Sequence, residues 1–212
     1  MRGPHARFCE RKDLRKLFLR FTYSIGEEIF MGLEQKVELV RQNVITAVQK
    51  YKDELVGRKF LYIFDNEFIE VIYKTENFMH LTGVDSKKLK SQKFYEKTKD
   101  GTLKRNQMFF SPRNPLKTAL DKSRELSNID IFANSKIFII KDMKTKTYTY
   151  AFSFSDKKMT LGLMKDTIKD EQGNEIELDY YIPKTFRVKE DATKDKDSTK
   201  VVGITLILSK TE

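Results

Sequence analysis

The sequence predicts an α+β fold, with N-terminal helices and a hairpin followed by an antiparallel β-sheet of about five strands. Three observations carry that expectation. Apolar residues recur at helical spacing through the first part of the chain and in strand-like runs from Lys136 onward. Two β-rich runs meet at Asp65-Asn66, residue types suited to a tight hairpin turn. The 212 residues are 39% apolar, with 16 Phe and 9 Tyr against only four Pro, which is enough to bury a core.

Residues 1–30 read differently. "MRGPHARFCERKDLRKLFLRF" has no clean period and carries seven Lys or Arg against two acids. The following Gly26-Glu27-Glu28 can be encoded by a purine-rich ribosome-binding sequence a short way ahead of Met31. We therefore expect a start at Met31 and a translated leader before it. The other reading is a disordered basic arm that meets phosphate. Without these residues His5 and Cys9 disappear, and His80 becomes the sole histidine.

From Met31 the spacing predicts a long amphipathic helix over residues 31–57. Leu33, Val37, Val40, Val44, Val48, Tyr51 and Leu55 step by three or four and form one stripe, and Gly57 is a natural stop. A second segment, residues 58–212, reads as the main domain. "KFLYIFD" and "FIEVIYK" form its hairpin. Thr75 can cap a short helix through Leu81 that Gly83 closes. Residues 86–98 predict another helix, "SPRNP" a loop, and "PLKTALDKSRELSNI" a third helix. "KIFIIKD", "TYTYAFSFS", "MTLGLMKD", "NEIELDYYI", "TFRVK" and "VVGITLILS" then supply the strands. "KEDATKDKDSTK", with four Lys and four acids, predicts a solvated hairpin loop.

Composition narrows the function. A net charge of +10 favours an acidic partner, nucleic acid first. One cysteine permits no intramolecular disulfide and suits a reducing cytoplasm. No apolar run approaches the roughly 18 residues of a membrane span. The Gly-rich phosphate loops and the GxSxG elbow are missing, so we expect no cofactor. With two His and one Cys, a zinc site would need carboxylates almost alone, so we expect no metal.

Ser86 to Arg105 holds eight Lys or Arg against two acids. On a helix Lys90, Lys93 and Lys97 share one stripe, with Phe94 and Tyr95 among them. Cations of this kind suit the phosphates of a nucleic-acid strand, and a ring such as Tyr95 can stack on a base. Phe94 and Tyr95 read first, however, as anchors of the helix to the core. His80 is the one side chain able to move a proton near neutrality, the need of metal-free RNA cleavage. Lys184 and Arg187 in "IPKTFRV" are candidates for stabilising the phosphorane, and Thr82, Thr185 and Tyr181 for hydrogen bonds. Composition alone makes a lone histidine more often structural than catalytic.

The run "FLYIFDNEFIEVIYKTENFMHLTGV", followed by "KFYEKTKDGTL", resembles the phage-type relatives of the barnase, EndoU, colicin and RelE nucleases (BECR fold), specifically their fourth phage subfamily. The similarity covers roughly Arg58 to Ser209, and Phe78 to Gly83 is its most specific part. It implies a metal-independent, ribonuclease-like α+β domain of phage or mobile-element origin, acting on RNA rather than DNA. His80 carries over as the active-site candidate, with Thr82 and Gly83 shaping the turn around it. Lys184, Thr185 and Arg187 rest on chemistry more than on motif. Two functions stay open: a toxin-like ribonuclease with a possible cognate immunity or host protein, or an inactive basic module of the same fold. A nucleotidyl or ADP-ribosyl transferase is a third, poorer idea, because no dinucleotide pocket is in view.

Overall fold

The computed structural model describes residues 31–134, 137–145, 148–189 and 198–207. The expected leader and most of the loop after Lys189 lie outside these residues. The chain divides into two compact units, 1–38 and 39–212. Helix α1, Leu33–Glu54, begins in the first unit and runs into the second. Its expected stripe is buried from Val40 through Val44, Val48, Tyr51 and Leu55, whereas Leu33 is exposed.

The hairpin follows as β1 (Lys59–Phe64) and β2 (Glu67–Ile72), paired antiparallel from Lys59↔Ile72 to Phe64↔Glu67. Asp65 and Asn66 both have positive φ, 43° and 62°, the backbone shape in which these residues are tolerated best after glycine. Next come three helices: α2 (Asn77–Thr82), α3 (Ser91–Lys99) and α4 (Leu116–Glu125). A 3₁₀ turn and the short α5 (Ile131–Asn134) complete the helical part. Helix α3 starts later than its spacing suggested. Residues before it are held elsewhere: Asp85 pairs backbone to backbone with Phe109, and the Ser86 hydroxyl accepts the Leu89 amide. Thr75 does not cap α2, since its hydroxyl bonds Glu76 and Gln92 instead.

The remaining strands are β3 (Phe138–Lys144), β4 (Thr149–Ser155), β5 (Met159–Lys169), β6 (Glu175–Val188), β7 (Ser198–Lys200) and β8 (Gly203–Ile207). The α+β class holds, but among the described residues the sheet has eight strands rather than about five, in the order β7-β3-β4-β5-β6-β2-β1-β8. The difference arises because the hairpin is not separate. β2 meets β6 in a parallel bridge, Val71↔Tyr181, that joins hairpin and meander.

The two end strands of that order, β7 and β8, are separated along the chain by Val201 and Val202 alone. Two residues reach only about 10 Å from strand to strand, so the sheet must curl until its edges meet. The Val201 amide bonds the Ile137 carbonyl and the Val202 amide the Ile63 carbonyl. Lys141 on β3 also reaches Glu67 on β2 at 2.8 Å. Inside, Tyr62 stacks 4.1 Å from Phe154 and donates to the Phe132 carbonyl at 2.7 Å. That use of its single proton makes Tyr73 the donor in the 3.0 Å Tyr62–Tyr73 bond.

The β5–β6 pair is irregular in two places. Gly162 faces Thr185 but Leu163 faces Pro183, which leaves Lys184 as the extra residue of a bulge. Lys165 faces Tyr181 but Thr167 faces Glu177, which displaces Asp166 and Tyr180 from the regular ladder. Asp166 accepts from Tyr180 at 2.9 Å and is ion-paired with Lys74 at the β2–α2 junction. Burial works to raise the Asp166 pKa, but the bonds from Lys74 and Tyr180 outweigh it and hold the carboxyl below its usual range. The trio ties the start of α2 to the sheet.

Candidate active site

Helix α2 presents His80 on its last turn, and Gly83 ends it in the left-handed conformation at φ 71°. Phe78 and Leu81 face the core, fully buried, which turns His80 outward to solvent. Although the residue as a whole is exposed, the protein around its ring is close enough to matter. Desolvation comes first in lowering its pKa from the ordinary 6.5, the Lys184 charge adds to that, and Asp85 opposes it. The direction favours the neutral imidazole, which is able to accept a proton.

Asp85 is held in place from the other side. Its carboxylate accepts from Ser111 Oγ at 2.7 Å and, at longer range, from Asn114 Nδ2 at 3.4 Å. The loop bearing Arg113 and Asn114 is thereby fastened beside α2. Lys87 reinforces this by sitting 4.2 Å above the Phe109 ring.

A recess of about 460 Å³ adjoins this group, lined by Arg113, Asn114, Lys122, Tyr150, Thr185 and Arg187 among others. Three links connect it to His80. Asn114 bonds Asp85, Thr185 follows Lys184, and Lys122 packs on Gly83. Methylene Cδ of Lys122 would lie 2.9 Å from a Cβ added at Gly83, so glycine is needed there for space as well as for φ.

Chemically the arrangement offers a neutral proton acceptor, a cation beside it, and a basic cavity with hydroxyls and an aromatic wall. These are the parts of a phosphodiester site. Residues 43–212 match the family described as phage-Barnase-EndoU-ColicinE5/D-RelE like nuclease 4. The chain belongs to this nuclease family. No curated protein and no solved structure matches it. Membership in a nuclease family supports interaction with nucleic acid. Among the described residues no helix is long and apolar enough to cross a membrane, and no three His, Cys, Asp or Glu side chains cluster as metal ligands.

Within this family member the expected site residues fall into distinct places. His80 feels the charge of Lys184. Thr185 and Arg187 line the recess, next to that pair. Thr82 is buried, and its hydroxyl donates to the Met79 carbonyl while accepting the Val84 amide, so it shapes the turn instead of facing a ligand. Tyr95 is buried edge-on against Phe78 at 6.0 Å, an anchor of α3. Lys90 and Lys93 are exposed and Lys97 partly so, with Lys93 bridged to Glu96 at 3.0 Å. Tyr181 lines a different cavity, which it shares with Asp179.

Sequence reasoning missed Asp85, Arg113, Lys122 and Tyr150. Faint signals existed for two of them. Arg113 sits in "SPRNP", a basic residue pinned between prolines, and Tyr150 ends the alternation "TYTY".

Proposed function

We propose that this protein cleaves RNA without a metal ion, with His80 as the group that moves the proton. The observation that supports this best is an exposed histidine that feels the charges of both Lys184 and Asp85, where Thr185, the neighbour of the one, and Asn114, the hydrogen-bond partner of the other, line a basic recess. In this reading neutral His80 takes the proton of a ribose 2′-hydroxyl. The resulting oxyanion attacks the adjacent phosphorus, and a 2′,3′-cyclic phosphate forms as the 5′-oxygen departs. Solvent or the Lys184 ammonium returns a proton to that oxygen. Lys184 also meets the charge that builds on the phosphorane. Asp85 holds the imidazole through its charge and balances the cation on its other side. Lys90, just before α3, and Lys93 and Lys97 on it guide the flanking backbone by long-range attraction.

The test is cleavage of a mixed RNA panel by the full chain in EDTA, beside His80→Ala and His80→Gln variants of unchanged melting temperature. Cleavage by the wild type alone, leaving 2′,3′-cyclic ends, supports the reading. Equal cleavage by all three removes His80 from the chemistry. Salt-sensitive binding without cleavage by any of them replaces the enzyme with a binding module.

A further inference from the structure

We propose that the recess between α4 and the β4–β6 sheet holds one unpaired nucleotide of the RNA, next to the phosphate that His80 acts on. The inference rests on the nuclease reading and adds what the enzyme selects: single-stranded RNA, gripped at a base and a phosphate together.

The volume, about 460 Å³, lies within the roughly 300 to 1,000 Å³ of cavities that hold one small ligand. Its walls divide by chemistry. Arg113, Lys122 and Arg187 bring three cations to one mouth, and a guanidinium meets two phosphate oxygens at once. The one acid among the described lining residues, Asp121, is bridged to Lys189 at 2.7 Å, which blunts its repulsion of an anion. Asn114, Thr118 and Thr185 offer amide and hydroxyl groups for a base edge or a ribose.

A bare anion site would need no aromatic wall, and this one has two rings in series. Tyr150 lines the recess, and its ring packs 5.3 Å from Tyr148, which is 48% exposed. Together they form a ledge that leads inward from solvent. Rings so placed suit stacking on successive bases, an interaction available to any base that is not paired. Duplex RNA keeps its bases stacked inside and has none to offer.

The floor is also built for this ledge. Gly162 lies between Ser153 on β4 and Thr185 on β6 in one cross-strand row. A Cβ at Gly162 would meet Thr185 Cγ2 at 2.7 Å and the Tyr150 ring at 3.0 Å. Tyr150 therefore lies down on the sheet over Gly162, where an added Cβ would press on its ring. Next to that glycine the Ser153 hydroxyl is fully buried without a partner, a polar group left over beside the wall of the cavity.

The experiment measures binding of a fluorescent, 2′-O-methylated RNA pentamer by anisotropy, with RNA cleavage assayed separately on the same proteins. The proteins are the wild type, Tyr150→Leu, Arg113→Ala and, from the opposite cavity, Asp179→Ala. Loss of stacking in Tyr150→Leu is expected to weaken binding about fivefold or more. Arg113 is exposed, so its removal spares the fold. It is expected to lower the slope of log affinity against log salt by about 0.7. Asp179→Ala should bind as the wild type does, and a five-base-pair duplex should bind more weakly than the single strand. If Tyr150→Leu and Arg113→Ala both bind like the wild type while RNA is still cleaved through His80, the subsite is wrong and the nuclease reading stands. If the wild type neither binds nor cleaves any RNA, both fall.

Discussion

Two cavities of nearly equal size flank strand β6, and they differ in almost everything except size. The first, about 460 Å³, takes Thr185, Arg187 and Val188 from the C-terminal end of the strand. The second, about 440 Å³, takes Asp179 and Tyr181 from its middle, with Glu67, Glu70, Phe152 and Lys165 around them. In the second, Glu67 is bridged to Lys141, Glu70 to Lys59 and Lys165 to Glu177, so among the described lining residues Asp179 sets the remaining sign. In the first, Arg113, Lys122 and Arg187 stand among the described lining residues with one acid, Asp121, which Lys189 bridges. A phosphate gains in one place and is repelled in the other, so charge selects the site where volume cannot.

The largest difference between the two cavities is expected when the acceptor beside the basic one is removed. His80→Ala is expected to cost about 100-fold or more in RNA cleavage, while Tyr181→Ala in the acidic cavity leaves the rate within about twofold. Initial rates on one RNA substrate check both. Equal losses would mean that the two cavities serve one site.

Next in size is the floor of the basic cavity. Gly162→Ala places a methyl against Thr185 and Tyr150, and overpacking of this kind costs about 1 to 3 kcal/mol. Thermal denaturation should show it, together with weaker binding of the RNA pentamer. Ser153→Ala provides the contrast. Its hydroxyl is buried without a partner, so its loss should leave the melting temperature unchanged or higher.

A smaller effect follows from charge. Folding lowers the His80 pKa below 6.5 through burial first and Lys184 second. The folded protein therefore binds this proton less readily than the unfolded chain. His80 costs stability as pH falls through 6.5, and the unfolding free energy should decline over that window. Lys184→Ala removes one cause and should raise the pKa, whereas Asp85→Asn removes the opposing one and should lower it further. Proton NMR titration of the single assignable imidazole in a His5→Ala background measures both signs directly. Shifts in the reverse directions would place these charges elsewhere than beside His80.

Much of the architecture was legible because it is local. Val40 to Leu55 announce a buried helical face by spacing alone, and Asp65-Asn66 announce a hairpin by backbone preference. His80 and Lys184 could be singled out by chemistry. That Lys184 lies near enough for its charge to reach His80 could not, since Lys184 sits in a bulge of β6 and α2 is tied to the sheet through Lys74, Asp166 and Tyr180, features without a local signature. The parallel bridge between Val71 and Tyr181 lies across more than a hundred residues and leaves no periodic trace. The basic cavity is of the same kind. Arg113 comes from a loop, Lys122 from a helix and Arg187 from a strand, and no window of sequence contains all three. Tyr95 and Thr82 show the converse. The sequence offered each a ligand contact beside a structural reading, and the structure buries both.

The curl of the sheet bears on how the molecule is made. Ser198–Ile207 hold β3 on one side and β1 on the other, and among the described strands of the sheet theirs leave the ribosome after the other six. Until then every nascent chain carries two open strand edges and, in the β1 edge, a template for pairing with its neighbours. A message cut short before this segment yields a protein whose sheet cannot close, whatever the state of His80. For a nuclease born beside the RNA that encodes it, the closed fold thus waits until every strand of the sheet has been translated.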